Sequence, residues 1–265
     1  MNQQKAIAHI RENYEEQSLI EHLNSVAQQS IKNANKLCLP KAGELIGLLH
    51  DFGKYSKAFQ SYIGSATGLI DPDEDEYVDA GRLKGKIDHS TAGAKYVWNV
   101  AQDKPLLIQV AAQMLSLCIA SHHSGLIDCI NPDGLNEFEK RMAKPDEKCH
   151  LSEVLEKAEV ELINKTRNLI DEETCFYSII EVLKQISKTN SNEALRRMQS
   201  GLLLRWLFSC LIDADRTDTA DFEEKGRKNI HINASMPGWD LLIERLENHL
   251  LSFEKSATKT PIDDI

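Results

Sequence analysis

The chain has no CxxC pair among its six cysteines (Cys38, Cys118, Cys129, Cys149, Cys175, Cys210), which excludes a zinc knuckle and a disulfide framework. Several lie inside apolar helical patterns, where cysteine packs as a small hydrophobe, and a reducing cytoplasm is expected. Cys149-His150 is read as incidental to the charged stretch EKCHLSE rather than as a thiol nucleophile. Long apolar runs are also missing: Gly201 to Ile212 is too short to span a bilayer and is broken by Arg205, so no membrane span is expected. The opening MNQQKAIAHIRENYEEQ lacks the apolar segment of a signal peptide, and export is not expected. Nor is there an excess of positive charge. Asp plus Glu total 41 against 31 Lys plus Arg, a net charge of -10, so nucleic-acid contact must be local. No G-x-x-x-x-G-K-[ST] loop occurs, the nearest approach being Phe52-Gly53-Lys54-Tyr55, so this chain is not expected to hydrolyse ATP.

What the chain does have is enough apolar residue, 42% of 265, to bury a full core. The apolar spacing is helical nearly throughout, with no convincing alternating run and no internal repeat, which predicts an all-α domain. Ser18 to Glu21 reads as a capping box opening a helix through Leu19, His22, Leu23, Val26 and Ala27. AGELIGLLHD forms a second helix, stopped at Gly53, which permits a left-handed end. Ser90 is the expected N-cap of TAGAKYVWNV, and Pro105 the start of LLIQVAAQMLSLCIASHH, which ends at Gly125. After a polar connection, LSEVLEKAEVELINKTRNLI and CFYSIIEVLKQI predict two amphipathic helices. A long helix from about Asn192 to Arg216 follows, and a last one starts near Trp239. Gly64 to Asp88 reads as a long loop. Residues 1–255 are taken as one domain and 256–265 as a linker-like tail leading to a further part of the protein. Trp98 and Trp206 lie on apolar faces and are expected in the core.

Histidines gather at predicted helix ends: His50-Asp51, His89-Ser90 and Ser121-His122-His123-Ser124-Gly125. A lone histidine at a helix C-terminus commonly bonds a free carbonyl. An adjacent buried pair without partners is costly, and together with His50 the better account is metal binding. His22 and the Asp213/Asp215 pair extend the set, although singly His22 reads as a core or surface histidine and the aspartates as a helix-end cluster with Arg216.

The order His22, His50-Asp51, late Asp resembles the H…HD…D pattern of the HD superfamily of metal-dependent phosphohydrolases, which are all-α helical bundles. HDFGK (50–54), DHSTAGA (88–94), SHHSG (121–125) and DADRTDT (213–219) sharpen the likeness. The stretch from His22 to about Phe222 resembles the HD nuclease domain of the CRISPR-associated helicase-nuclease of type I interference systems. The resemblance implies that His22, His50, Asp51 and Asp215 hold one metal and His89, His122 and His123 a second, with Asp51 shared. In DAD, Asp213 and Asp215 fall on different helix faces; the family's Ala-Asp pair matches Ala214-Asp215 and favours Asp215. Lys54 is expected to reach the scissile phosphate or its neighbour, against the plain alternative of a solvated cap.

Two cations about 4 Å apart can clamp a phosphodiester without a protein nucleophile. Imidazole-rich donors suit Mn, Fe, Co or Ni rather than Mg. The resemblance implies cleavage of single-stranded DNA, a helicase domain or subunit, and a guide-RNA surveillance complex as partners. The donor set alone would equally serve an HD phosphohydrolase of small nucleotides or cyclic dinucleotides. A catalytically silent HD-like binding module is the third alternative. It predicts gaps in the donor set, and none is present. Local charge from Arg82, Lys84 and Lys86, from Lys54 and Lys57, and from Arg205 and Arg216 predicts a positive rim.

Overall fold

Helix formation begins where the capping box places it. Ser18 accepts from the Glu21 amide, and the Glu21 carboxylate accepts from the Ser18 amide, 3.3 Å away. Helix α1 (Leu19–Ala34) then buries Leu19, His22, Leu23, Val26, Ala27, Ser30 and Ala34, one stripe at helical spacing. The structure, a computed structural model, describes residues 5–11, 13–70, 72, 77–83, 87–227 and 238–254. By internal contacts the chain divides into two units, Met1–Glu223 and Glu224–Ile265.

In the first unit, α1 leads through a 3-10 turn (Asn35–Leu37) to α2 (Pro40–Leu49), which Pro40 opens at its first position. There its missing amide costs nothing. Another 3-10 turn (Phe52–Tyr55) and α3 (Lys57–Thr67) follow, then short α4 (Ala80–Leu83), α5 (Thr91–Ala101) and α6 (Leu106–Ser121). Three short helices, α7 (Glu137–Met142), α8 (Asp146–Cys149) and α9 (Leu151–Lys157), precede α10 (Val160–Asp171), α11 (Thr174–Thr189) and the long α12 (Glu193–Glu223). Helix α1 packs between α2 and α12, and α5 lies along α6. Leu45, Ile46, Leu48, Leu49, Phe52, Leu115 and Ile119 are fully buried among them. The expected all-α class holds. Among the described residues the only sheet is a hairpin of β1 (Ile7–Ile10) and β2 (Glu16–Ser18), antiparallel, with His9 opposite Gln17.

Several boundaries differ from the sequence reading. Gly64–Asp88 is not wholly loop: α3 continues to Thr67, where Ser65 and Thr67 hydroxyls donate to carbonyls one turn back, and α4 lies within the same stretch. The single helix expected over LSEVLEKAEVELINKTRNLI is broken at Ala158, which is extended (φ -64, ψ 151). Ser90 sits at the N-terminal position of α5 without capping it; the Asp88 carboxylate takes the Thr91 amide instead, at 3.0 Å. Trp98 packs edge-on against Phe138, but Trp206 is exposed rather than in the core.

Two glycines let the site-bearing segments meet. Gly53 is not in the left-handed stop the sequence reading assigned to it. Its amide donates to the His89 carbonyl at 3.0 Å, and a Cβ there would lie 2.4 Å from that oxygen. At Gly93 a Cβ would lie 2.0 Å from the Leu49 carbonyl, so only glycine admits α5 this close to the end of α2.

The second unit contains α13 (Trp239–Glu254), beginning where expected, with Trp239, Ile243, Leu246 and Leu250 exposed. The tail 256–265 lies outside the described residues. No helix among the described residues is long and apolar enough to cross a membrane, and all six cysteines are free.

Candidate metal centre

The end of α2 delivers His50 and Asp51 into the middle of the bundle, where both are almost completely buried. Around them the fold gathers His22 from α1, His89 from the turn before α5, His122 and His123 from the end of α6, and Asp215 from α12. Two groups result, each with donor atoms within 4.8 Å of one another: His22, His50, Asp51 and Asp215; and Asp51, His89, His122 and His123. Asp51 belongs to both and divides its oxygens between them. Its Oδ2 lies 3.4 Å from Nε2 of both His22 and His50. Its Oδ1 lies 3.2, 3.7 and 3.8 Å from Nε2 of His122, His89 and His123. Every residue named from the sequence as a metal donor is therefore in the cluster. Asp215 Oδ1 sits 3.5 Å from Nε2 of both His22 and His50, whereas Asp213 points elsewhere and accepts from Asn33 at 2.9 Å.

The outer nitrogens are engaged as well. His50 Nδ1 donates to the Gly47 carbonyl at 2.9 Å and His122 Nδ1 to the Ile119 carbonyl at 2.7 Å, each using a free acceptor at its own helix end. His89 Nδ1 reaches the Ile87 carbonyl at 3.2 Å, and His22 Nδ1 reaches the Asp218 carboxylate at 2.8 Å. Such partners fix the tautomer and leave Nε2 as an inward lone pair, the arrangement of imidazoles that hold a metal. The lone pairs converge closely, with Nε2 to Nε2 of 3.2 Å between His22 and His50 and 2.6 Å between His89 and His123. Ligands at about 2.1 Å from one cation and at right angles lie about 3 Å apart, so the donor set fits divalent ions.

Electrostatics lead to the same place. Burial lowers the proton affinity of His50, yet the charges of Asp51 and Asp215 raise its pKa to about 10, so the carboxylates demand a positive charge between them. Burial pushes the Asp51 carboxyl up, but Lys54 and then His50 hold it well below the usual range. Across Asp51, burial lowers His89 to about 4 and moves His122 down too, leaving neutral imidazoles.

Lys54 is not a solvated cap. It is buried, its Nζ 2.8 Å from Asp51 Oδ2 and 3.3 Å from the Ala8 carbonyl that accepts from it. Above the cluster opens a cavity of about 340 Å³ lined by His9, Asp51, Lys54, His122, His123 and Asp215, and further out by Arg216, Thr219 and Glu223. The expected positive rim is present only in part. Arg216 lines the cavity, Arg82 is paired with Asp79 at 3.1 Å, and Lys84 and Lys86 lie outside the described residues.

Three residues escaped the sequence reading. Asp218 stands one turn beyond Asp215, inside the DADRTDT stretch that was singled out, and supports His22. Gln17 donates to Asp218 at 2.8 Å. His9, whose ring lies 4.8 Å from that of His22, carries no sequence signal, because the short hairpin that places it was not foreseen.

No curated protein matches the chain. The family described as "Cas3, HD domain" matches residues 8–203, nearly three quarters of its length, ending before Asp215, which the fold nevertheless brings to the cluster. The chain belongs to the Cas3 HD-domain family, and so to the metal-dependent nucleases of CRISPR systems.

Proposed function

We propose that the chain hydrolyses single-stranded DNA in type I CRISPR interference with two divalent transition metal ions, Mn, Fe, Co or Ni, sharing Asp51. The observation that carries this is the division of the Asp51 carboxylate, with one oxygen toward His22, His50 and Asp215 and the other toward His89, His122 and His123. Ions bound there supply Lewis acidity and an activated water, so no side-chain nucleophile is required. The chain's own residues do the rest. Carbonyls and Asp218 lock the rings so that Nε2 faces inward. Burial of Asp51, His22 and His50 keeps bulk water from the floor. Lys54 on the floor and Arg216 at the wall offer cations to a scissile phosphate and its neighbour.

The preference for single strands rests on charge and on what the sequence lacks. A chain of net charge -10 with no phosphate-binding loop has neither the field to hold a duplex nor the motor to open one. It therefore acts in the cytoplasm with a helicase domain or subunit and a guide-RNA surveillance complex that expose the strand. The chain with Mn²⁺, Co²⁺ or Ni²⁺ should degrade labelled single-stranded DNA without ATP, leave blunt linear duplex largely intact, and stop with EDTA. Equal degradation of duplex would overturn the strand preference. Inactivity on single strands with every metal, together with turnover of small nucleotides, would favour the phosphohydrolase alternative.

A further inference from the structure

Outside the donor set, one arginine joins the two segments that carry His89, His122 and His123. Arg141 lies on α7, in the stretch between α6 and α9 that reads from sequence as a polar connection. Its Nε donates to Thr91 Oγ1 at 2.6 Å, and its Nη2 donates to Ser90 Oγ at 2.7 Å. The same nitrogen donates to the Ala120 carbonyl at 3.4 Å and lies 3.5 Å from Asp88 Oδ1. Asp88 and Ser90 flank His89, and Ala120 precedes His122 by two residues. A single guanidinium thus spans from the His89 turn to the end of α6.

That span matters because His89 belongs to no helix. On its outer side the ring is held by Nδ1 to a carbonyl of its own turn, at 3.2 Å, and by edge-on packing against Phe59. The Gly53 amide ties the turn to the Asp51 side, and among the described residues, besides Arg141, the turn meets the end of α6 through one long bond, Ser90 Oγ to the Ala120 carbonyl at 3.3 Å. We infer that Arg141 is a positioning residue that sets His89 against His122 and His123, and so governs the Asp51–His89–His122–His123 cation position while leaving the His22–His50–Asp215 position alone. This rests on the two-cation reading above. Lys144 also reaches Asp88, but an ammonium is a point charge, whereas the planar guanidinium engages four acceptors in fixed directions.

Arg141→Met should fold. Asp88 keeps Thr91 and Lys144, and the Ala120 carbonyl still accepts from Ser90 at 3.3 Å, so no buried acceptor is orphaned. Loss of a supporting partner typically weakens metal affinity about 10- to 100-fold. The test is a calorimetric Mn²⁺ titration of the full chain after chelation, with amide exchange of the metal-free protein beside it. Wild type should take up two ions. Arg141→Met should keep one at wild-type affinity, bind the other about 10- to 100-fold more weakly, and exchange faster at Ser90 to Gly93. Arg141→Lys, which retains the charge without the fork, should behave likewise and carries the test if the methionine variant does not fold. Lys144→Met should change neither affinity. Unchanged affinities in both Arg141 variants, or equal weakening at both positions, would overturn the inference and leave the two-cation reading standing. A wild type binding fewer than two ions would remove that reading, and this inference with it.

Discussion

Replacing Asp51 by alanine removes the carboxylate common to both donor groups and also strands a cation. Lys54 Nζ lies 2.8 Å from Asp51 Oδ2, and among the described residues its one other hydrogen bond is to the Ala8 carbonyl. At an effective dielectric of about 20 the attraction is about 6 kcal/mol, part of which only offsets desolvation of the two charges. Breaking a buried pair by deleting one partner costs about 3–5 kcal/mol, a large share of the roughly 5–15 kcal/mol that stabilises a domain. Asp51→Ala should therefore be both metal-deficient and markedly less stable, and activity alone would not tell the two effects apart.

A double-mutant cycle separates them. In Lys54→Met the Asp51 carboxylate keeps His50 beside it at 3.4 Å, so the loss should be smaller. In Asp51→Ala/Lys54→Met no charge of the pair is stranded, and the double variant should lose about 2 kcal/mol less than the sum of the two single losses, a coupling usual for residues in contact. Urea unfolding in chelator reads the stabilities, and elemental analysis after dialysis against Mn²⁺ reads the ions. Metal content should stay near wild type in Lys54→Met and be lost from both Asp51 variants. If the double variant regains metal along with stability, Asp51 acts by balancing charge and not as a donor. If there is no coupling, the buried-pair reasoning is wrong.

Three further outcomes follow from the geometry. Asp215→Ala should lower metal content and cleavage sharply, while Asp213→Ala, losing one exposed hydrogen bond from Asn33, should cost about 1 kcal/mol or less and leave both readouts intact; the reverse ranking would move the donor. Asp218→Asn removes the charge behind His22 Nδ1 and should weaken one metal position about 10- to 100-fold by calorimetry, and an unchanged affinity would reduce Asp218 to a packing role. Gly53→Ala places a Cβ 2.4 Å from the His89 carbonyl and should destabilise by about 1–3 kcal/mol in thermal unfolding while reducing cleavage; wild-type behaviour in both would show that the turn is not held closely.

What was legible in the sequence was what is local. His50 and His122 each find an outer partner three residues back on their own helix, Gly47 and Ile119, so a histidine at the end of an apolar helix already carries its support with it. The capping box at Ser18 is likewise complete within four residues. His22 differs. It sits inside a helix where every nearby carbonyl is taken, and its partner Asp218 is 196 residues away, so no spacing rule could reach it. The same holds for Arg141, which meets the His89 turn 50 and 51 residues upstream from a stretch with no apolar period of its own. The hairpin carrying His9 was missed for another reason: strands of four and three residues are too short to show alternation. Gly53 was misread because a glycine after a helix suits a left-handed stop and a close approach equally, and only the position of the His89 backbone decides between them. The inward donors are thus a local property of helix ends, whereas their aim is a property of the fold. Substitutions at Asp218, Gly53 and Arg141 probe that aim without touching a donor.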